Sequence, residues 1–159
     1  MKLLIGALLL VAAWLGHSRL MFTESRVMPL MTAHTLKVYE GDASACDFYA
    51  DDVQVDIVQE MREGRWEVEG GKDEVCGFIR KAGAGLVLLD ANVNTEFADI
   101  SLERKGFPWT EATLSYTEHV TMSAERMPEV VFTSQDELVL VRTLTGVKIK
   151  AIHSRGRQH

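Results

Sequence analysis

Segments with helical periodicity precede segments with strand periodicity along this chain, and this order restricts the folds that it can adopt. The helical patterns occupy residues 26–40, 43–50 and 72–81. Between the second and the third, residues 53–68 alternate as the two arms of a hairpin. From residue 86 onwards the pattern predicts β-strands over residues 86–103, 110–122, 137–143 and 147–153. Thr145-Gly146 predicts a tight turn between the last two. Helices followed by antiparallel strands are typical of an α+β domain.

The length and the charge of the chain limit its organisation and its partners. With 159 residues, of which 47% are apolar, the chain can form one domain with a hydrophobic core and a short additional segment. The formal net charge is −6. Nucleic acids and anionic membrane surfaces require a basic protein face, so we expect no nucleic-acid partner.

The N-terminal segment predicts export. Lys2 is followed by an uncharged apolar run over residues 3–15. A positive residue before a short apolar run is typical of a secretory signal peptide. Spanning a membrane requires about 20 apolar residues, and a span that extends to Phe22 would contain His17 and Arg19. The segment is therefore predicted to be a cleaved signal or an uncleaved inner-membrane anchor, with the folded domain outside the cytoplasm, in the periplasm.

The predicted boundaries divide the chain into successive parts. These parts are the signal peptide or membrane anchor (1–22), a linker with a helix start (23–30), the folded domain (31–154) and a basic tail (155–159). The tail contains Arg155 and Arg157, which we expect to be solubilising residues at a frayed terminus.

The chain contains two cysteines, Cys46 and Cys76, both in predicted helical segments. Export would permit a disulfide between them. The sequence does not place their Cα atoms within bonding range, so the preferred interpretation is two small buried hydrophobic residues. No CxxC, HExxH or Cys/His cluster is present, and no metal site is predicted.

Three short motifs occur in a recognisable order. They are Gly-Asp at 41–42 at the end of a helix, Tyr-Ala-Asp-Asp at 49–52 before an alternating strand, and Gly-Lys-Asp-Glu at 71–74 at the start of a helix. Together with the later strands, this order resembles the NTF2-like superfamily, in particular its SnoaL-like and ketosteroid-isomerase-like branch, over residues 31–154. The resemblance implies a curved sheet that wraps three helices into a cone, with a small apolar ligand or an active site at the open end. It also implies a possible homodimer through the sheet.

The resemblance does not imply steroid isomerase activity. The position that matches the carboxylate base of that branch is Ile57, and an aliphatic side chain cannot accept a proton. Asp56 is adjacent but is predicted to point to the opposite face of the strand. The position that matches the oxyanion-donating tyrosine is His34.

A different set of residues could supply acid–base chemistry. If Tyr116 faces inward on its strand, Glu118 does so as well, and the same reasoning from Ile149 predicts that His153 faces inward. We therefore predict Glu118, His153 and His34 as candidate catalytic residues. A structural ion pair between Glu118 and Arg142 or a histidine is the alternative.

The predicted ligand contacts are mostly apolar or aromatic. They are Ile57, Trp66, Phe97, Tyr116 and Arg142. The alternative for the aromatic residues is that they are ordinary core residues.

These observations favour an exported or membrane-anchored domain that binds a small apolar ligand in its cone, without a cofactor. One alternative is a SnoaL-like acid–base enzyme of the isomerase, cyclase or hydrolase type, which a hydrogen bond between Glu118 and His153 would favour. Another is an interaction scaffold in the cell envelope, which a cone without a cavity would favour. A membrane contact through the N-terminal segment is expected only if the segment is not cleaved.

Overall fold

The computed structural model describes residues 2–125 and 127–159. Helices lie at the N-terminal end of the chain and over one face of a sheet. The helices are α1 (Lys2–Met21), α2 (Glu24–Glu40), a short 3₁₀ helix (Ala43–Phe48) and α3 (Lys72–Leu88). Within the described residues, no helix combines the length and the hydropathy that crossing a membrane requires.

The sheet has six strands in the order β2-β1-β6-β5-β4-β3. The strands are β1 (Tyr49–Met61), β2 (Gly64–Gly70), β3 (Asn92–Lys105), β4 (Glu111–Ala124), β5 (Met127–Arg142) and β6 (Val147–Gln158). Strands β1 and β6 pair in parallel, and all other pairs are antiparallel. The α+β fold with a curved, mainly antiparallel sheet is thereby confirmed.

Helices α2 and α3 lie over the concave face of the sheet and touch each other through two glycines. Gly41 ends α2 in the left-handed conformation, with φ of 67°. A Cβ atom on Gly83 of α3 would lie 2.2 Å from the Cα atom of Gly41. The two backbones can approach this closely only because neither residue has a side chain.

The hydrophobic core lies between the two helices and the sheet. Its most buried members include Met31 of α2, Ile79 of α3, Leu114 of β4, Leu140 of β5 and Ile149 of β6. Each of these side chains is almost fully removed from water. Hydrophobic burial of this kind is the main force that holds the helices onto the sheet.

Several elements are longer than the sequence indicated. Helix α3 continues past residue 81, where the predicted helical pattern ends, and stops at Leu88. Strand β5 begins at Met127, ten residues before its predicted start at Glu137. Strand β6 continues through 155–158, which the sequence analysis assigned to a tail. The additional residues of β6 are stabilised by pairing with β1 on one side and β5 on the other.

The preferred interpretation of the cysteines was wrong. Cys46 in the 3₁₀ helix and Cys76 in α3 form a disulfide, with their Cα atoms 5.7 Å apart. Both do lie in helical segments, as predicted. The packing of α3 beside the 3₁₀ helix brings them together, and this packing is a tertiary feature that local patterns do not encode.

Candidate functional site

A cavity of about 370 Å³ lies between α2, α3 and the concave face of the sheet. Most of its lining is apolar, with side chains such as Met31, Ile57, Phe78, Val120 and Phe132. Concave, mainly apolar cavities of a few hundred Å³ are the usual form of small-molecule sites.

Strand register aligns the side chains of the concave face in transverse rows. One row consists of Glu118, Ser134, Gly156 and Gln59, on β4, β5, β6 and β1 in turn. The neighbouring row consists of Tyr116, Asp136, Ser154 and Ile57 on the same strands. We call five of these residues the polar belt: Gln59, Glu118, Ser134, Asp136 and Ser154.

The polar belt lies between two apolar zones. The next row beyond Tyr116 and Asp136 contains Leu114 and Leu138, which are almost completely buried. On the other side of the belt, Val120 and Phe132 form a row that is less buried. A bound molecule would therefore meet apolar walls at both ends and hydrogen-bonding groups at its middle.

Glu118 and Asp136 are the acidic groups of this cavity. Burial, followed by the negative charge of Asp136, raises the pKa of Glu118 to about 7, against the opposing effect of a hydrogen bond with Tyr39 of α2. Burial also raises the pKa of Asp136, against hydrogen bonds from Ser134 and Ser154. The hydroxyl of Ser134 donates to Oδ2 of Asp136 over 2.6 Å. Near neutral pH, both the protonated and the ionised form of Glu118 are therefore populated.

His34 of α2 reaches the cavity from the opposite wall. Its Nε2 atom lies 2.7 Å from the hydroxyl of Tyr49 at the start of β1. Burial lowers the pKa of His34 to about 4, so the imidazole is neutral at physiological pH. Its Nδ1 atom is buried and has no hydrogen-bond partner in the protein.

The structure brings together most of the residues that the sequence singled out. Ile57, Trp66, Tyr116, Glu118 and His34 all line the cavity. Phe97 packs edge-on against Tyr116, with 5.2 Å between ring centroids, and it lies beside the lining instead of within it.

The predicted position of His153 was wrong. The register of β5 and β6 shifts between Val139 and Leu140, so Lys150 is an extra residue in β6. Ile149 and Ile152 both face the core, and His153 points to the convex face, where it approaches Asp56. An extra residue in a strand reverses the face of every residue that follows.

Arg142 is also placed outside the cavity. It lies at the C-terminal end of β5, where its guanidinium group stacks 5.0 Å from the centroid of the Trp14 indole of α1. Glu118 lies in the middle of β4, opposite Ser134, which is eight residues from Arg142 along β5, so the proposed ion pair between Glu118 and Arg142 does not form. The hydrogen-bond partner of Glu118 is Tyr39, and Asp136 is a like-charged neighbour.

Sequence reasoning missed Tyr39 and most of the polar belt. Ser134 and Asp136 continue the inward alternation of Leu138 and Leu140 toward the N-terminal end of β5. That alternation was the available signal, but polar residues stand at two of its inward positions, where apolar residues are expected. Within residues 2–125 and 127–159, no group of three or more His, Cys, Asp and Glu side chains could hold a metal ion.

Comparison with solved structures shows the fold. The β subunit of benzoate 1,2-dioxygenase from Burkholderia mallei superposes with a TM-score of 0.66 at 7% identity, over 87% of this chain and 91% of that one. ActVI-ORFA from Streptomyces coelicolor gives 0.63 at 11% identity, over 82% and 91%. An NTF2-like protein of unknown function from Pseudomonas putida gives 0.56 at 13% identity, over 82% and 84%. The chain has an NTF2-like fold.

The NTF2-like fold confirms the resemblance that the three sequence motifs predicted. Superpositions at such low sequence identity establish the architecture only, so the function must be argued from the residues of the site. No protein-family model matches the sequence, and no characterised protein matches it.

Proposed function

We propose that this domain binds a small, mainly apolar molecule in the cavity beneath α2 and α3. The observation that carries the proposal is the cavity itself, which has a volume of about 370 Å³ and a largely apolar lining. A cone without a cavity, which would favour the scaffold interpretation, is not what the described residues form.

The physical cost of the cavity supports this function. Protein interiors are normally packed as densely as organic crystals, and empty apolar volume destabilises a fold. A molecule that fills the cavity would restore these packing contacts and would bury its own apolar surface. The polar belt would orient it, because hydrogen-bonding groups in an apolar site fix the position of a ligand.

The test uses a neutral hydrophobic fluorophore, N-phenyl-1-naphthylamine, whose emission rises in apolar surroundings. We expect saturable binding to the wild-type protein and strongly reduced binding to Ala82→Phe, since Ala82 of α3 lines the cavity. Ala84→Phe is the matched control, because Ala84 lies two residues further along the same helix and is exposed. Equal binding by both variants, or a native mass spectrum of the protein without any bound small molecule together with no fluorophore binding, would contradict the proposal.

We also propose that α1 directs export of the domain. Two features support this: the exposed apolar side chains of α1, such as Leu8, Leu9 and Leu10, and the disulfide between Cys46 and Cys76. Disulfides persist in oxidising compartments and are rare in the cytosol. The measurement is the N-terminal sequence and the compartment of the mature protein after expression in a Gram-negative host. Recovery of the full-length, reduced protein from the cytosol would refute export.

A second candidate function is cofactor-free acid–base catalysis on the bound molecule. The observation that favours it is the pKa of Glu118, about 7, which is suited to proton transfer at neutral pH. The test is deuterium exchange at the carbon next to the carbonyl group of cyclohexanone in deuterated buffer. Exchange catalysed by the wild-type protein but not by Glu118→Gln would support catalysis, and identical rates would exclude it for this substrate.

A further inference from the structure

The polar belt is rich in hydrogen-bond acceptors and has no cationic partner. Glu118 and Asp136 both face the cavity, and Asp136 is only 8% exposed. Among the lining residues that the structure describes, there is no lysine and no arginine. Buried carboxyl groups are normally paired with a cation, since an unpaired buried charge is costly. The cavity therefore holds two carboxyl groups whose negative charge, when they ionise, no lysine or arginine of the described lining neutralises.

A further acceptor lies in the same row as Glu118. The Oε1 atom of Gln59 is buried and has no hydrogen-bond partner. Its carboxamide lies over Gly156, where a Cβ atom would come within 2.1 Å of Oε1. The missing side chain at Gly156 makes room for the amide, which is therefore held at the cavity wall with an acceptor left unsatisfied.

Aromatic side chains accompany these acceptors. Tyr116 lies beside Asp136 in the neighbouring row, and Tyr39 contacts Glu118 from α2. Trp66 lines the cavity next to Gln59 on the adjacent strand β2. The faces of such rings attract cations, and the attraction increases where water is excluded.

We infer that the molecule bound in this cavity is a hydrophobic amine, held as its ammonium ion between Glu118, Asp136 and the surrounding aromatic rings. This inference rests on the proposed function and names the chemical class of the ligand. An ammonium group supplies both what the site lacks, a positive charge, and what its acceptors need, several N–H donors. The apolar rows on either side of the belt accommodate the hydrocarbon part of the molecule.

Other ligand classes fit less well. An anion would be repelled by the two carboxyl groups and would find no lysine or arginine in the described lining. A neutral alcohol or ketone could form a hydrogen bond, but it would leave the carboxyl groups without a counter-charge. The described residues provide no group of ligands suited to a metal ion.

The inference predicts a definite pH dependence. The groups that face Glu118 are Asp136 on β5, Tyr116 on β4 and Tyr39 on α2, and His34 faces the same cavity. An ammonium ion pairs with the ionised form of Glu118, whose pKa in the free protein is about 7. Below that pH, binding must release a proton, so affinity should fall by up to about tenfold per pH unit. Above it, affinity should stay constant until the amine loses its own proton.

The experiment compares matched pairs of amines and alcohols by calorimetry on the intact protein. The probes are 4-phenylbutylamine with 4-phenylbutan-1-ol, and 1-adamantanemethylamine with 1-adamantanemethanol. At pH 8 we expect each amine to bind about tenfold or more tightly than its alcohol. Glu118→Gln should remove most of this preference and the pH dependence, whereas both alcohols should retain their affinity within about threefold. The control is Glu137→Gln, because Glu137 is an exposed carboxylate on the convex face, one residue from Asp136.

The outcomes separate the two proposals. Alcohols that bind as tightly as the amines would overturn the amine inference and leave the binding function intact. An amine preference that Glu118→Gln does not change would also overturn it. Failure of both probe classes and of the neutral fluorophore would overturn the inference together with the proposed function.

Discussion

Glu118 on β4 and Asp136 on β5 are diagonal neighbours on the concave face of the sheet. Glu118 lies opposite Ser134, and Asp136 lies opposite Tyr116, so the two carboxyl groups occupy adjacent rows of the same cavity. Diagonal neighbours in antiparallel pairs have Cα atoms roughly 7–8 Å apart, within reach of each other's field in a buried site. The negative charge of Asp136 therefore makes the ionisation of Glu118 less favourable.

This relationship predicts the effect of removing one charge. Asp136→Asn should lower the pKa of Glu118 from about 7 toward its ordinary value, because the negative charge of Asp136 is the second cause of the elevation after burial. The measurement is a pH titration of the Glu118 side-chain carboxyl carbon by NMR. In Glu137→Gln, which alters a carboxylate on the opposite face, the titration should not move. A pKa of Glu118 that is unchanged in Asp136→Asn would show that burial alone raises it.

The pH dependence of stability should contain two opposing contributions. Glu118 ionises near pH 7 in the folded protein and near pH 4.5 in the unfolded chain. Raising the pH through this window therefore favours the unfolded chain. His34 gains its proton near pH 4 in the folded protein but near 6.5 in the unfolded chain, so lowering the pH through that window favours unfolding. Between about pH 4.5 and 6.5 the two contributions offset each other.

Glu118→Gln should uncover the contribution of His34. The free energy of unfolding of this variant should rise steadily from pH 4 to 6.5, and above pH 7 it should exceed that of the wild type by about 2–3 kcal/mol. Urea denaturation at pH 4.5, 6 and 8 measures both effects, with Glu137→Gln as the control. A variant that is less stable than the wild type at pH 8 would show that the Glu118 carboxylate is compensated in the folded state.

The disulfide should contribute substantially to stability. Cys46 and Cys76 are separated by 30 residues, and closing a loop of that length lowers the entropy of the unfolded chain by an amount worth about 3–4 kcal/mol. The double variant Cys46→Ser, Cys76→Ser should lose about this much in the free energy of unfolding. Dithiothreitol should destabilise the wild type to the level of the variant and leave the variant unchanged. Equal stability of the oxidised wild type and the variant would contradict the prediction.

The contact between α2 and α3 should tolerate no side chain at Gly83. Gly83→Ala places a Cβ atom against the backbone of Gly41, so the helices must separate, at a cost of about 1–3 kcal/mol. Gly85→Ala in the same helix has nothing within 4 Å of the added atom and should stabilise the helix by up to about 1 kcal/mol. Thermal unfolding of the two variants measures the difference. A Gly83→Ala variant that is as stable as Gly85→Ala, or more stable, would show that the helices are not held at this distance.

Sequence patterns located most elements correctly because strand and helix periodicities are local. The alternation around Val55 and Ile57 identified the strand whose inward residues line the cavity. The extension of β5 toward Met127 was missed because Ser134 and Asp136 stand at inward positions, where apolar residues are expected. These two polar residues interrupt the pattern at the site itself, where function and local preference disagree.

The placement of His153 failed for a different reason. The alternation from Ile149 assumes an unbroken strand, but the extra residue at Lys150 reverses the face of everything after it. A bulge depends on pairing with the neighbouring strand, and a single strand's sequence does not reveal it.

By itself, the sequence determined the kinds of elements, their order and the NTF2-like resemblance, because these follow from short-range periodicity and from turn and cap residues. Only the tertiary structure decided which side chains share the cavity, since that depends on register between strands distant in the chain. In the folded chain, Glu118 lies beside Asp136 and Tyr39, and His153 points to the convex face. Cys46 and Cys76 come together in a disulfide. Register and helix packing are set by the sum of many weak contacts across the whole core, and no local segment carries that information.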